Sequence, residues 1–80
     1  MDYFIGIIAL FPYNFVPVGW YLCNGQIIQI AENNVLYSLI GTNYGGNGSS
    51  TFALPNMQGL EPTPGMNYYI CYEGVYPERY

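Results

Sequence analysis

The sequence predicts a small α+β domain, mostly β, with one short helix and a long ordered glycine-rich loop. Apolar runs of strand length stand near both ends of the 80-residue chain. One segment between them changes to helical spacing. The stretch GTNYGGNGSSTFALPN, from Gly41 to Asn56, is rich in glycine, serine and asparagine and predicts a loop. The chain length suits one domain, so we expect residues 1–80 to form a single unit.

The first half of the chain predicts three strands. Phe4–Phe11 reads FIGIIALF, and its length and branched side chains favour a buried strand. Asn24 and Gly25 separate two further apolar runs, and both residues tolerate the positive φ of a type I′ turn. We therefore predict a β-hairpin with Trp20–Cys23 and Gln26–Ile30 as its arms.

The second half predicts a helix followed by two extended segments. Four apolar residues within Glu32–Ile40 fall on one helical face, and Gly41 supplies the left-handed residue that commonly ends a helix. After the glycine-rich loop, TFALP reads as a brief extended segment and YYICYEGVY as the closing strand. The residues of the helical face are Val35, Leu36, Leu39 and Ile40.

The composition argues against most catalytic and ligand-binding functions. The chain has no histidine and no lysine, so the usual general bases reduce to one aspartate and four glutamates. Two cysteines without a histidine cannot complete a zinc site, and a net charge of −4 disfavours nucleic acid. No apolar segment has the length of a membrane span, and the N-terminus lacks the features of a signal peptide. We expect no enzymatic activity, cofactor, metal, nucleic acid or membrane insertion.

Cys23 and Cys71 both fall in apolar segments read as strands. Without a secretion signal, we expect two buried free thiols rather than a disulfide.

Low charge and many aromatic residues point to a covered surface. Only 8% of the residues are charged, whereas 19% are aromatic and ten are tyrosine. Apolar patches of this kind usually mark interfaces, which favours an oligomer or a larger assembly. Tyrosines could also form a platform for a sugar, although packing within the fold is the more common use of such residues.

Six short motifs in the first 55 residues occur together in one known family. With them, residues 4–59 resemble the phage tail collar domain, found in short tail fibres and in bacterial tail fibre or microcystin-dependent-type proteins. The motifs are Phe-x-Gly-x-Ile at Phe4–Ile8, Pro-x-Gly-Trp at Pro17–Trp20, Cys-Asn-Gly-Gln at Cys23–Gln26, Leu-Tyr-Ser-Leu-Ile-Gly-Thr at Leu36–Thr42, Tyr-Gly-Gly-x-Gly at Tyr44–Gly48 and Thr-Phe-x-Leu-Pro at Thr51–Pro55.

The resemblance implies a structural role for the loop and its flanks. Its glycines can take conformations closed to other residues, and Asn43 and Asn47 can satisfy backbone groups through their side chains. We expect the loop to pack on itself, anchored in the core at its far end and leaning on Trp20. The residues implied as structural positions are Trp20, Asn24, Gly25, Gly41, Tyr44, Gly45, Gly46, Gly48, Phe52, Leu54 and Pro55.

The chain departs from the family pattern after Leu-Pro-x-x-x-Gly, which stands at Leu54–Gly59. Family members usually continue into a long glycine- and histidine-rich segment, which in some fibres carries receptor binding and metal ligands. Here NMQGLEPTPGMNYY bridges directly to the closing strand, so the resemblance implies neither property for this chain.

The function implied is that of a building block in a phage tail or a phage-tail-like contractile injection particle. Expected partners are fibre, spike or baseplate proteins, or further copies of the chain, with a homotrimer as the first expectation. The expected location is the virion tail or particle, after synthesis in the bacterial cytoplasm. The alternative is a tail-fibre adhesin that binds a cell-surface glycan through exposed tyrosines.

Overall fold

The computed structural model describes residues 3–77, which form two small sheets and one short helix. The predicted α+β class, mostly β with one short helix, is confirmed. The helix has seven residues, and no helix in residues 3–77 is long and apolar enough to cross a membrane. The strands are β1 (Ile8–Phe11), β2 (Trp20–Leu22), β3 (Ile27–Gln29), β4 (Thr51–Ala53) and β5 (Asn67–Cys71), and the helix is α1 (Asn34–Ile40).

The closing strand β5 lies at the centre of a three-stranded antiparallel sheet of order β1-β5-β2. Ile70 of β5 stands opposite Ile8 on one side and Tyr21 on the other. The remaining strands, β3 and β4, form a separate antiparallel pair. Residues from both ends of the described chain therefore meet in one sheet.

The predicted hairpin at Asn24 and Gly25 is wrong. Its two arms pair elsewhere, because β2 joins β5 and β3 joins β4. Gly25 has a φ of 80°, but no residue other than glycine has a positive φ in residues 3–77, so a type I′ turn does not form. Instead, the Asn24 side-chain oxygen accepts a hydrogen bond from the Gln26 N–H at 3.1 Å, and the chain passes from one sheet to the other.

The first strand begins at Ile8, four residues later than predicted. The Gly6 N–H donates to the Cys71 carbonyl, and the Cys71 N–H donates to the Ile7 carbonyl. Gly6 and Ile7 therefore both stand opposite the single residue Cys71. This is a β-bulge, and it interrupts the strand. Phe4 forms only an isolated parallel bridge, with Val75.

Two other boundaries also differ. The helix starts at Asn34 rather than Glu32, and the closing strand covers Asn67–Cys71 rather than Tyr68–Tyr76. The predicted extended segment TFALP corresponds to β4 and the residues after it.

The two faces of the three-stranded sheet carry separate clusters of buried residues. One face packs against α1 and β4, and the other is built around Trp20 and Tyr69. The first cluster contains Ile5, Cys23, Leu36, Phe52, Leu54 and Ile70. The second contains Trp20, Tyr69 and Cys71.

Cys23 and Cys71 are buried free thiols that belong to different clusters. The Cys23 N–H donates to the carbonyl of Tyr68, which lies three residues before Cys71 along β5. Three strand residues span about 10 Å, which exceeds the Cα separation that a disulfide allows.

Candidate interaction surface

The glycine-rich loop, residues 41–50, covers the outer side of β4. The Ala53 N–H donates to the Gly45 carbonyl at 3.1 Å, and the Gly48 N–H donates to the Thr51 carbonyl at 3.0 Å. On its other side, β4 pairs with β3. The loop thus supplies the hydrogen bonds that a neighbouring strand would otherwise make.

Gly46 is the position where the loop backbone comes closest to β4. A Cβ added there would lie 2.3 Å from the Cα of Phe52 and 2.8 Å from the Thr51 carbonyl oxygen. Its φ is +94°, a region that residues with a Cβ rarely adopt. Both the space and the backbone conformation require glycine at this position.

Asn47 holds the far end of the loop. Its Oδ1 accepts hydrogen bonds from the backbone N–H groups of Ser49, Ser50 and Thr51, at 2.8, 2.9 and 3.0 Å. An asparagine that satisfies three consecutive donors fixes a turn in the way expected for this residue type. In residues 3–77, the side chain of Asn43 makes no comparable hydrogen bond.

Buried side chains that follow the loop anchor it to the core. Phe52 and Leu54 are almost fully buried, and Pro55 is buried beside them. The Phe52 ring meets the Tyr37 ring edge to face, with ring centroids 5.2 Å apart. The Tyr37 hydroxyl also approaches the Gly48 carbonyl, at 3.4 Å, so Tyr37 links the helix to the loop.

The expectation that the loop leans on Trp20 is wrong. Trp20 lies in the second cluster, where its ring meets Tyr3 and Phe11 edge to face at 5.1 and 5.0 Å. Tyr37 takes the expected place of Trp20, because α1 rather than β2 packs beside the loop. Tyr44, another predicted structural position, is 51% exposed.

The remaining predicted positions lie at turns. Gly41 follows α1 with a φ of 56°, and its N–H donates to the Tyr37 carbonyl. The Gly25 N–H donates to the Pro55 carbonyl at 3.2 Å. Gly25 therefore connects the start of β3 with the segment that follows β4.

A row of stacked rings, Phe11–Tyr13–Phe15, extends beyond the end of β1 and is named here the aromatic ladder. Adjacent rings are 5.4 and 5.1 Å apart, each pair inclined by 18°. Phe15 is 60% exposed, and Val18, which follows in the same loop, is 94% exposed. The ladder is an apolar surface open to contact.

Side chains of β5 fix the backbone of the ladder. The Tyr69 hydroxyl lies 2.9 Å from the Tyr13 carbonyl oxygen and 3.2 Å from that of Phe15. The Asn67 side-chain amide also donates to the Tyr13 carbonyl, at 3.1 Å. An exposed apolar segment held in this way loses little conformational entropy when a partner binds.

Sequence reasoning missed the ladder, although the signal is present. Aromatic residues at 11, 13 and 15 alternate with other types, which places them on one side of an extended chain. The proline and glycine residues around them led to an interpretation as a turn region alone.

The thiols are poorly suited to nucleophilic chemistry. Burial raises the pKa of the Cys23 thiol to about 11, and burial also raises the pKa of Cys71. Both thiols are therefore protonated at neutral pH, whereas the thiolate is the reactive form. No group of three or more potential metal ligands of the His, Cys, Asp or Glu type occurs in residues 3–77.

Comparison with known protein families identifies one family model that matches the chain. The family model described as the Phage Tail Collar Domain matches residues 6–62. That range includes the glycine-rich loop, the anchoring residues after it and the aromatic ladder. A search of curated proteins found no match.

Proposed function

Because the chain belongs to the phage tail collar family, a structural family of phage tail fibres, we propose that it mediates assembly contacts within a phage tail or a phage-tail-like contractile injection particle. The partners in this proposal are fibre, spike or baseplate proteins, together with further copies of the chain. We also propose that residues 1–80 act as one collar domain. The match over residues 6–62 is the observation that carries the proposal.

The structure supports an assembly role through the aromatic ladder. Its outer rings, Tyr13 and Phe15, are exposed, and three hydrogen-bonding contacts from Asn67 and Tyr69 hold its backbone. A preorganised apolar surface is characteristic of a binding site for another protein. The low charge of the chain lets such a surface be covered without desolvating many ionised groups.

Purification of particles that contain a tagged copy of the chain tests the proposal. We expect the wild-type chain to sediment with intact tails or injection particles. Phe15→Ser should reduce the particle-bound fraction, because it removes an exposed ring from the ladder. Ile27→Ser is the matched control, since Ile27 is 64% exposed and lies on β3 outside the ladder. A chain absent from purified particles would contradict the proposal.

A glycan-binding adhesin is a second candidate, favoured by the rings of Tyr44 and Tyr76, which are 51% and 49% exposed. Aromatic faces stack on the apolar faces of sugars, and the hydroxyl of a tyrosine can bond to a sugar hydroxyl. This candidate expects the isolated chain to bind cells and to be released by a free competing glycan. Association with particles that needs no sugar, and no cell binding by the isolated chain, would contradict it.

A further inference from the structure

The outer edge of β1 carries backbone groups that have no partner in residues 3–77. The hydrogen bonds around β5 alternate, because Cys71 bonds to Ile7 in the β1 direction and Tyr68 bonds to Cys23 in the β2 direction. In this register Ala9 and Phe11 face β5, so Ile8 and Leu10 direct their N–H and C=O groups away from the sheet. In residues 3–77, no hydrogen bond from another segment reaches those four groups.

The corresponding groups of β2 are partly satisfied. The Leu22 carbonyl accepts hydrogen bonds from the Asn24 N–H at 2.9 Å and from the Gln26 side-chain amide at 3.2 Å. The Trp20 N–H donates to the Pro17 carbonyl. Within the described residues, β1 is thus the more open edge of the three-stranded sheet.

The described sequence around β1 carries no charged residue that would protect its edge from pairing. Proteins usually protect an open edge strand from association with lysine or another charged residue, with proline or with a β-bulge. Here residues 3–31 contain no charged residue at all, and β1 itself reads Ile-Ala-Leu-Phe. Ile7, just before the strand, is 41% exposed.

We propose that the β1 edge pairs with the β1 edge of a second copy of this chain, antiparallel and about a twofold axis at Ala9. Ile8 of one copy then faces Leu10 of the other, and the outward N–H and C=O groups of these residues satisfy one another. The opposed side chains are all apolar: Ile8 with Leu10, Ala9 with Ala9, and Phe11 with Ile7. Such cross-strand pairs stabilise an antiparallel ladder.

A second copy fits this edge because the edge is complementary to itself. The proposed axis places Ile8 of each copy opposite Leu10 of the other, so each donor finds an acceptor. The chain carries a net charge of −4, but the residues that would pair, Ile7–Phe11, are uncharged, as is the rest of residues 3–31. The pairing therefore brings no like charges together in the strand.

This inference deepens the proposed assembly role by naming the surface between copies, but the two can fail separately. A twofold contact joins chains in pairs, and it can also link two threefold rings. Incorporation into particles tests the proposed function, whereas the mass and register of the free oligomer test the pairing.

Sedimentation of the purified chain at micromolar concentration is the first measurement. We expect a species of twice the 9.0 kDa chain mass, or another even multiple. A species that remains a single chain at every concentration, or one of three chains, would overturn the pairing and leave the particle test untouched.

Leu10→Lys probes the edge itself. Leu10 is half-buried and belongs to neither buried cluster, so the variant should fold while the added charges oppose the strand pairing. We expect association at least about tenfold weaker, which corresponds to roughly 1.4 kcal/mol. Ile27→Lys, at an exposed apolar position on β3, should associate as the wild type does. Equal effects of the two substitutions would overturn the proposal.

Cysteine crosslinking tests the register independently of these charge changes. Across the twofold axis, Ala9 faces its own copy in a pair without mutual hydrogen bonds, with Cα atoms about 4.5 Å apart. Two copies of Leu10 would lie about 8–9 Å apart, beyond disulfide reach. We expect Ala9→Cys to form an intermolecular disulfide on mild oxidation and Leu10→Cys to form little. Crosslinking that is equal at both positions, or absent at Ala9→Cys, would overturn the assigned register.

Discussion

Strands β4 and β1 both lie at the rim of a sheet, but the chain treats their outer edges in opposite ways. The outer edge of β4 receives hydrogen bonds from the glycine-rich loop, through Gly45 and Gly48. The outer edge of β1 receives none from residues 3–77. The comparison explains why so short a chain keeps a long glycine-rich loop. The glycine and asparagine residues let the loop backbone bond along the outer edge of β4 without forming a further strand.

Gly46→Ala should have the largest effect on the covered edge. The added methyl group would lie 2.3 Å from the Cα of Phe52, and the positive φ would be strained as well. We expect the free energy of unfolding to fall by about 3–5 kcal/mol, as judged by chemical denaturation.

Gly59→Ala is the matched control for Gly46→Ala. Gly59 also has a positive φ, of +89°, but a Cβ added there meets nothing within 4 Å. It should cost only the conformational strain, about 1 kcal/mol. Similar losses for both variants would mean that the loop does not press against β4 as described.

Gly25→Val should have the next largest effect, although the hairpin first predicted there does not exist. Gly25 has a φ of +80°, and an added Cβ would lie 3.2 Å from the Cβ of Asn56. A β-branched residue resists positive φ, so we expect a loss of about 2 kcal/mol. Gly25→Asn is the control, because asparagine tolerates this conformation better. A melting temperature unchanged by valine would remove Gly25 from the set of structural positions.

Asn47→Ala should loosen the loop without breaking the core. It removes an acceptor shared by three backbone N–H groups, but these groups are exposed and water can replace part of the interaction. We expect a loss of about 1 kcal/mol, together with faster hydrogen exchange at Ser49 to Thr51. Asn43→Ala, in the same loop, should change neither quantity, and an equal effect would contradict the assigned role of Asn47.

The sequence predicted the local features of this comparison better than the pairings. The helix, β4 and the closing strand follow from periodicity and turn residues, and the packing of the loop follows from its glycines and Asn47. Asn24 and Gly25 gave a false hairpin because a local turn signal does not reveal that β5, almost fifty residues later, takes β2 as a partner. For the same reason, the sequence alone did not predict that the loop covers the outer edge of β4 or that the outer edge of β1 stays open. Both features depend on strand pairing between distant segments.

Leu10→Lys should have the smallest effect on the stability of the single chain, and that makes it the sharpest test of the comparison. Leu10 is half-buried and packs into neither buried cluster, so at concentrations too low for association its free energy of unfolding should stay within about 0.5 kcal/mol of the wild type. At higher concentration the wild type should gain stability through pairing, because binding to the folded state shifts the unfolding equilibrium. The variant should gain none, so the two melting temperatures should diverge as concentration rises. Gly46→Ala, by contrast, should lower stability by the same amount at every concentration at which the variant still folds and pairs. Melting curves of the two variants over a dilution series measure this difference. If the melting temperature of the wild type does not depend on concentration, the open edge of β1 has no part in association, and the contrast with β4 is one of local packing alone.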